Sequence, residues 1–211
     1  MYVRVLAALC WLGLIVEAVV AAPVSTPEVG QMVRKMLTMQ VQGMEPGVVA
    51  IFNMLGVLPL LFACLLLPEP QELKVPAWPF VFGAFVGGAF ALFPYLILRN
   101  PAESQTPATG WRSWFEARPL GALLLLCAAS FIVYGLGWGS LSRYIALWKT
   151  NQLVHIMTLD FVVLCLLIPF VTWQDAQRRG RTLRGIAQLF LVPVLGTAAY
   201  LVWRKGNPVE S

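Results

Sequence analysis

The sequence predicts an all-α, polytopic membrane helical bundle: about six transmembrane helices arranged as a 3+3 inverted repeat, with two interfacial helices. Three observations carry this reading. Of 211 residues, 59% are hydrophobic and only 12% charged, and the mean hydropathy is +0.75, a composition outside the range of ordinary soluble domains. The apolar runs recur at about 20 residues, the length of one helical bilayer crossing. The order of elements also repeats: crossing, amphipathic segment, crossing, tight turn, crossing ending Tyr-Leu-x-x-Arg.

Residues 3–22 form the first apolar run. Val19-Val20-Ala21-Ala22 would suit signal cleavage, but only Arg4 precedes the run and Glu17 interrupts it, so a retained helix is expected. Thr26-Pro27-Glu28 reads as a helix start. Over residues 27–41, Val29, Met32, Met36 and Met39 share one face, in a segment too short and polar to span. It is expected to lie in the interface with its Met stripe in lipid. The second crossing, residues 48–67, is entered through Glu45-Pro46-Gly47 and carries Asn53.

After a turn over residues 68–76, Ala77-Trp78-Pro79 opens a third crossing that ends at Arg99. Its Gly83, Gly87 and Ala91 leave a smooth stripe for close helix contact, and Pro94 is expected to kink its last turn. Residues 100–117 form a polar interfacial linker, expected to be least ordered over 101–110. Trp111, Trp114 and Phe115 suit the headgroup level. A fourth crossing covers residues 120–138. Leu141, Tyr144, Ile145 and Trp148 then recur at helical spacing, predicting a second interfacial helix over 140–150. Two final crossings, residues 153–173 and 186–203, flank a basic turn.

Laying residues 49–99 over 154–204 without gaps matches Val49 with Val154, Tyr95 with Tyr200 and Arg99 with Arg204. The halves are then residues 1–99 and 118–211. An odd number of crossings in each would invert the second half, placing the pseudo-two-fold axis in the membrane plane. The balance of Lys and Arg favours the odd-numbered loops on the cytoplasmic side.

Ionisable residues inside crossings are costly and invite a role. The repeat groups Glu17, Asn53, Tyr95 and Arg99 near one face, and Asp160, Tyr200 and Arg204 near the other. Asp160 is expected to face the bundle and reach Tyr200 or Arg204, as helix-to-helix glue or as a proton relay. His155 is the sole histidine. That excludes a bis-histidine haem and a His-rich metal site, leaving an axial ligand to a chlorophyll-type magnesium as its cofactor role. Arg178, Arg179, Arg181 and Arg184 read as a topology anchor, with an anionic-lipid or partner contact as the sharper alternative. Cys10, Cys64, Cys127 and Cys165 lie singly in apolar runs, as packing residues. The net charge of +5 sits at the ends of apolar runs, so nucleic acid is not an expected partner. The motifs of nucleophilic, zinc-dependent and nucleotide-dependent enzymes are absent.

Pro76-Ala77-Trp78-Pro79-Phe80, Gly88-Ala89-Phe90-Ala91-Leu92-Phe93-Pro94-Tyr95-Leu96 and His155-Ile156-Met157-Thr158-Leu159-Asp160-Phe161 resemble an uncharacterised family of multi-span membrane proteins of cyanobacteria, with plastid relatives. The C-terminal hairpin alone also resembles a small bacterial domain of unknown function. The resemblance implies a plasma or thylakoid membrane of a cyanobacterium-like organism and carries no catalytic residue with it. The expected function is that of a non-enzymatic accessory, assembly or lipid- or pigment-binding factor. Its partners would be membrane lipids and a larger membrane complex, with a pigment or lipid as the only bound group. A small-solute or proton-coupled ion transporter is the alternative, and a membrane enzyme acting on an isoprenoid or lipid a weaker one.

Overall fold

The computed structural model describes residues 2–23, 27–69, 76–99, 108–180 and 191–204, and every regular element among them is helical. The chain is a multi-pass membrane protein. By length and composition, four of the described helices are apolar enough to cross a bilayer: α3 (Pro46–Leu66), α4 (Trp78–Leu98), α5 (Arg118–Trp138) and α7 (Gln152–Arg178). The shorter helices are α1 (Tyr2–Val16), continued by a π-helical turn over Glu17–Ala21, α2 (Pro27–Leu37), α6 (Leu141–Thr150) and α8 (Pro193–Trp203). A 3-10 segment, Gly110–Glu116, precedes α5.

Helix α4 does not run straight. Gly88 has φ 49° and ψ −130° inside it, a conformation open in practice only to glycine. In a straight helix Phe80 and Tyr95 would be about 22 Å apart along the axis. Their ring centroids are 5.6 Å apart instead. The Gly83-Gly87-Ala91 stripe does make a close helix contact, but within α4. A Cβ added at Gly83 or Gly87 would lie 3.3 or 3.4 Å from Ala91 Cβ. The two halves therefore fold against each other, and Arg99 returns to within 3.6 Å of Glu69, which precedes the helix. Each half is about 15 Å long, half a hydrocarbon core, so α4 is a re-entrant hairpin. Pro94 lies within its second half, and the break is at Gly88 instead.

Arg179 and Arg204 both contact the Asp175 carboxylate, so both lie at one end of the bundle. Helix α8, at 11 residues, reaches only about half-way through a bilayer.

The expected six crossings are therefore corrected. Helices α3, α5 and α7 run the length of the bundle. Helix α1 does too, linking Arg4 beside the Arg99 carbonyl to Glu17 beside His155. The expected inverted repeat is corrected as well. The starts of α3 and α7 share a small cluster around Met36, Val48, Val154 and Met157. Their far ends meet around Leu65, Glu69, Val171 and Asp175. The two helices point the same way, so the second half is not inverted relative to the first.

Equivalent residues do equivalent work. Asn53 and Thr158 each bond back to the carbonyl four residues earlier, Val49 and Val154. Arg99 and Arg204 each follow the last turn of a helix, with the backbone N–H bonded to the Tyr95 and Tyr200 carbonyls. Helix α1 packs on α4 as α5 packs on α8.

Both amphipathic helices form. The apolar face of α2 turns toward protein, however, with Met36 buried and Met32 packed against its cluster. Large apolar side chains are exposed along α1, at Leu9, Leu12 and Val16, and along α5, at Leu123, Leu126, Val133 and Leu136. Of the linker expected to be least ordered, residues 101–107 lie outside the described residues.

Candidate functional site

Three polar arrangements and one apolar cleft stand out. The first lies at the α4 break. Ala89 begins the second half-helix, and a helix start leaves backbone N–H groups without partners. Asp160 of α7 accepts the Ala89 N–H at 2.6 Å, and the carboxylate is almost fully buried. A Cβ at Gly88 would lie 1.8 Å from Asp160 Oδ2, so glycine is required by contact as well as by φ. Non-helical backbone survives at membrane depth only where protein satisfies it, and Asp160 supplies that partner. It does face the bundle, as expected. The expected contact with Tyr200 or Arg204 is not made, because both of those bind Asp175.

The second is the hub around Asp175. This carboxylate accepts from Arg178 Nη2 at 2.5 Å, Arg179 Nε at 3.0 Å and Tyr200 OH at 2.7 Å. Arg204 Nη1 lies 3.4 Å away. Arg179 continues to Glu116 at 2.6 Å. Arg204 donates to the carbonyls of Cys64 and Phe115, and Arg99 donates to Gln174. The ends of α3, α4, α7 and α8 and the 3-10 segment are thereby tied together. Burial disfavours the charged Arg179 guanidinium, but Asp175 and Glu116 outweigh it and hold its pKa above the usual arginine value. Arg178 and Arg179 were expected to be a topology anchor, with anionic lipid or a partner as the alternative contact. They point inward because Asp175, at i−3 and i−4, gives them a buried counter-charge. Arg181 and Arg184 lie outside the described residues.

The third is at the opposite end. His155 stacks on Trp148 with ring centroids 5.0 Å apart. Its Nδ1 lies 3.1 Å from the Trp148 carbonyl and its Nε2 3.0 Å from Glu17 Oε1. Both ring nitrogens are engaged, which removes the free one an axial ligand needs. The expected grouping of Glu17 and Asn53 with Tyr95 and Arg99 is also corrected. Glu17 belongs to His155, Asn53 bonds its own helix, and Tyr95 and Arg99 lie at the far end, where the hairpin returns.

The cleft opens beside this third group. It has a volume of about 410 Å³ between α3, α5 and α6, with Phe161 of α7 at its back. Met54, Phe131 and Ile132 line it, and the exposed Leu136 and Leu141 flank its mouth. Gly135 lets α5 approach closely, since a Cβ there would lie 2.8 Å from that of Ala50. Tyr144 stands at the wall, its hydroxyl bonded to Thr158. Burial raises its pKa, with the Thr158 bond opposing.

At the polar end is Glu45, whose side chain is 2% exposed. Its Oε1 accepts the Ser140 N–H at 2.6 Å, and its Oε2 is buried without a hydrogen-bond partner. Sequence reasoning treated Glu45 only as a helix entry and Asp175 only as part of a basic turn. Spacing could have found Asp175, since Arg178 and Arg179 follow at i+3 and i+4. Nothing local marks Glu45, whose partners are far away in sequence. Among the described residues no group of three or more His, Cys, Asp or Glu side chains could hold a metal ion. No protein-family model, curated protein or solved structure matches this chain.

Proposed function

We propose that this is a non-enzymatic integral membrane protein that holds an amphiphile, acting as a lipid-binding accessory factor in its membrane. The observation that carries this reading is the cleft. It is apolar along its walls, opens past exposed Leu136 and Leu141, and ends at a buried carboxylate. Its 410 Å³ falls within the range of small-ligand sites. An apolar body with one polar terminus is the complementary shape. Purification in mild detergent followed by solvent extraction and mass spectrometry tests it. A retained amphiphile, lost on Leu136→Trp, supports the reading. A protein that carries nothing beyond detergent contradicts it.

The specific observation behind a transporter reading is Asp160 at an interrupted helix, as in transporters with broken helices. Proton-coupled flux in liposomes that disappears in Asp160→Asn would favour it. The pigment reading loses support, because His155 has no free nitrogen.

We further infer that the re-entrant hairpin of α4 enters from the cytoplasmic side. Among the described residues, seven cations (Arg4, Arg99, Arg112, Arg118, Arg178, Arg179, Arg204) lie at that end. Four (Arg34, Lys35, Arg143, Lys149) lie at the other. This asymmetry is the positive-inside signal.

A further inference from the structure

Resting on the cleft as an amphiphile site, we infer that its occupant is a zwitterionic aminophospholipid whose primary ammonium binds Glu45. The buried Glu45 Oε2, on a residue that lines the cleft, accepts no hydrogen bond. Its sibling Oε1 is already committed to Ser140. What belongs there is an N–H or O–H, and a cationic N–H binds a carboxylate best.

A second charge selects among cations. Arg143 Nη1 lies 4.0 Å from Glu45 Oε2, beyond hydrogen-bond range, on a side chain 77% exposed. A lone ammonium at Glu45 would crowd this guanidinium. A headgroup carrying a phosphate next to its ammonium instead pairs both: ammonium inward on Glu45, phosphate outward on Arg143. A tail then follows the apolar wall past Met54 and Phe131. Glu45 and Ser140 flank the starts of α3 and α6, so this headgroup sits at interface depth, where a lipid presents it.

The ammonium must be able to donate. A quaternary headgroup keeps its charge but has no N–H, and a glycerol headgroup has hydroxyl donors but no positive charge. This gives a test on the unaltered protein. The delipidated full-length chain is offered dioleoyl phosphatidylethanolamine, its N-methyl and N,N-dimethyl derivatives, phosphatidylcholine and phosphatidylglycerol, and retention is read by native mass spectrometry. Retention is expected to be highest for phosphatidylethanolamine and to fall with each methyl. Phosphatidylcholine and phosphatidylglycerol should be at least roughly tenfold weaker, the scale of one lost charge-assisted hydrogen bond.

Glu45→Gln keeps an acceptor for Ser140 and should reduce phosphatidylethanolamine to the phosphatidylcholine level. Leu136→Trp, changed at an exposed position, should remove retention altogether. Equal retention of all five lipids, lost in Leu136→Trp, overturns the headgroup assignment and leaves the cleft standing. So does a phosphatidylethanolamine preference that survives in Glu45→Gln. Failure of every lipid to bind, with Leu136→Trp indistinguishable from the unaltered chain, overturns the assignment and the cleft reading together.

Discussion

Asp160 and Ala89 lie 71 positions apart, yet the Asp160 carboxylate accepts the Ala89 backbone N–H at 2.6 Å. Helix α7 thus closes the open end of a half-helix in α4. At the start of α8 Pro193 removes one of the N–H groups that a helix start leaves unpaired, and no side chain caps the rest.

Replacing Asp160 should therefore act through α4. Asp160→Asn keeps an acceptor for Ala89 and should cost little. Asp160→Leu leaves that N–H unpaired and should destabilise by about 1–3 kcal/mol. Gly88→Ala should be worse than either, since it meets both a forbidden φ and the Asp160 carboxylate. Tryptophan-fluorescence unfolding in detergent would order the three.

Asp175 holds three buried guanidinium groups together. Removing one member of a buried ionic network strands the rest, typically at about 3–5 kcal/mol. Asp175→Asn is expected to fall in that range and Tyr200→Phe well below it, in the same unfolding measurement.

Glu17 and His155 join the π-turn after α1 to the start of α7. A double-mutant cycle of Glu17→Gln and His155→Phe, which keeps a ring over Trp148, should show a coupling of about 0.5–3 kcal/mol. Additive effects would mean that the 3.0 Å contact does not contribute to stability.

Much of the architecture was legible because it rests on periodicity. Helices α2 and α6 follow from apolar spacing, and the hydrogen-bonded helix ends at Arg99 and Arg204 from their matched Tyr-Leu-x-x-Arg endings. The re-entrant turn was not legible. An apolar run of 21 residues has the same composition whether it crosses straight or folds at its middle. Only adjacent Gly87 and Gly88 hint at a break, and Pro94 is the more obvious kink signal. Once α4 was counted as a crossing, the orientation of everything after it reversed, and an inverted repeat followed from that count. Asp160 was legible as a residue in need of a partner. Its actual partner, a backbone N–H exposed by the break, has no side-chain signature.

The positive-inside asymmetry predicts sidedness. In a cysteine-free background, the exposed Thr109→Cys should react with an impermeant maleimide only from the cytoplasmic face. Lys149→Cys should react only from the opposite face. The reverse pattern in intact cells would invert the proposed orientation.

The Asp160–Ala89 contact depends on α4 entering and leaving through one face of the membrane. Spin labels at Trp78→Cys and Leu98→Cys, both exposed positions, flank the hairpin in a cysteine-free chain reconstituted in bilayers. Pulsed electron resonance should give a label separation below about 20 Å, whereas a straight 21-residue helix would place the two positions about 30 Å apart. A distribution centred on the longer distance would contradict the re-entrant fold, and with it the role assigned to Asp160.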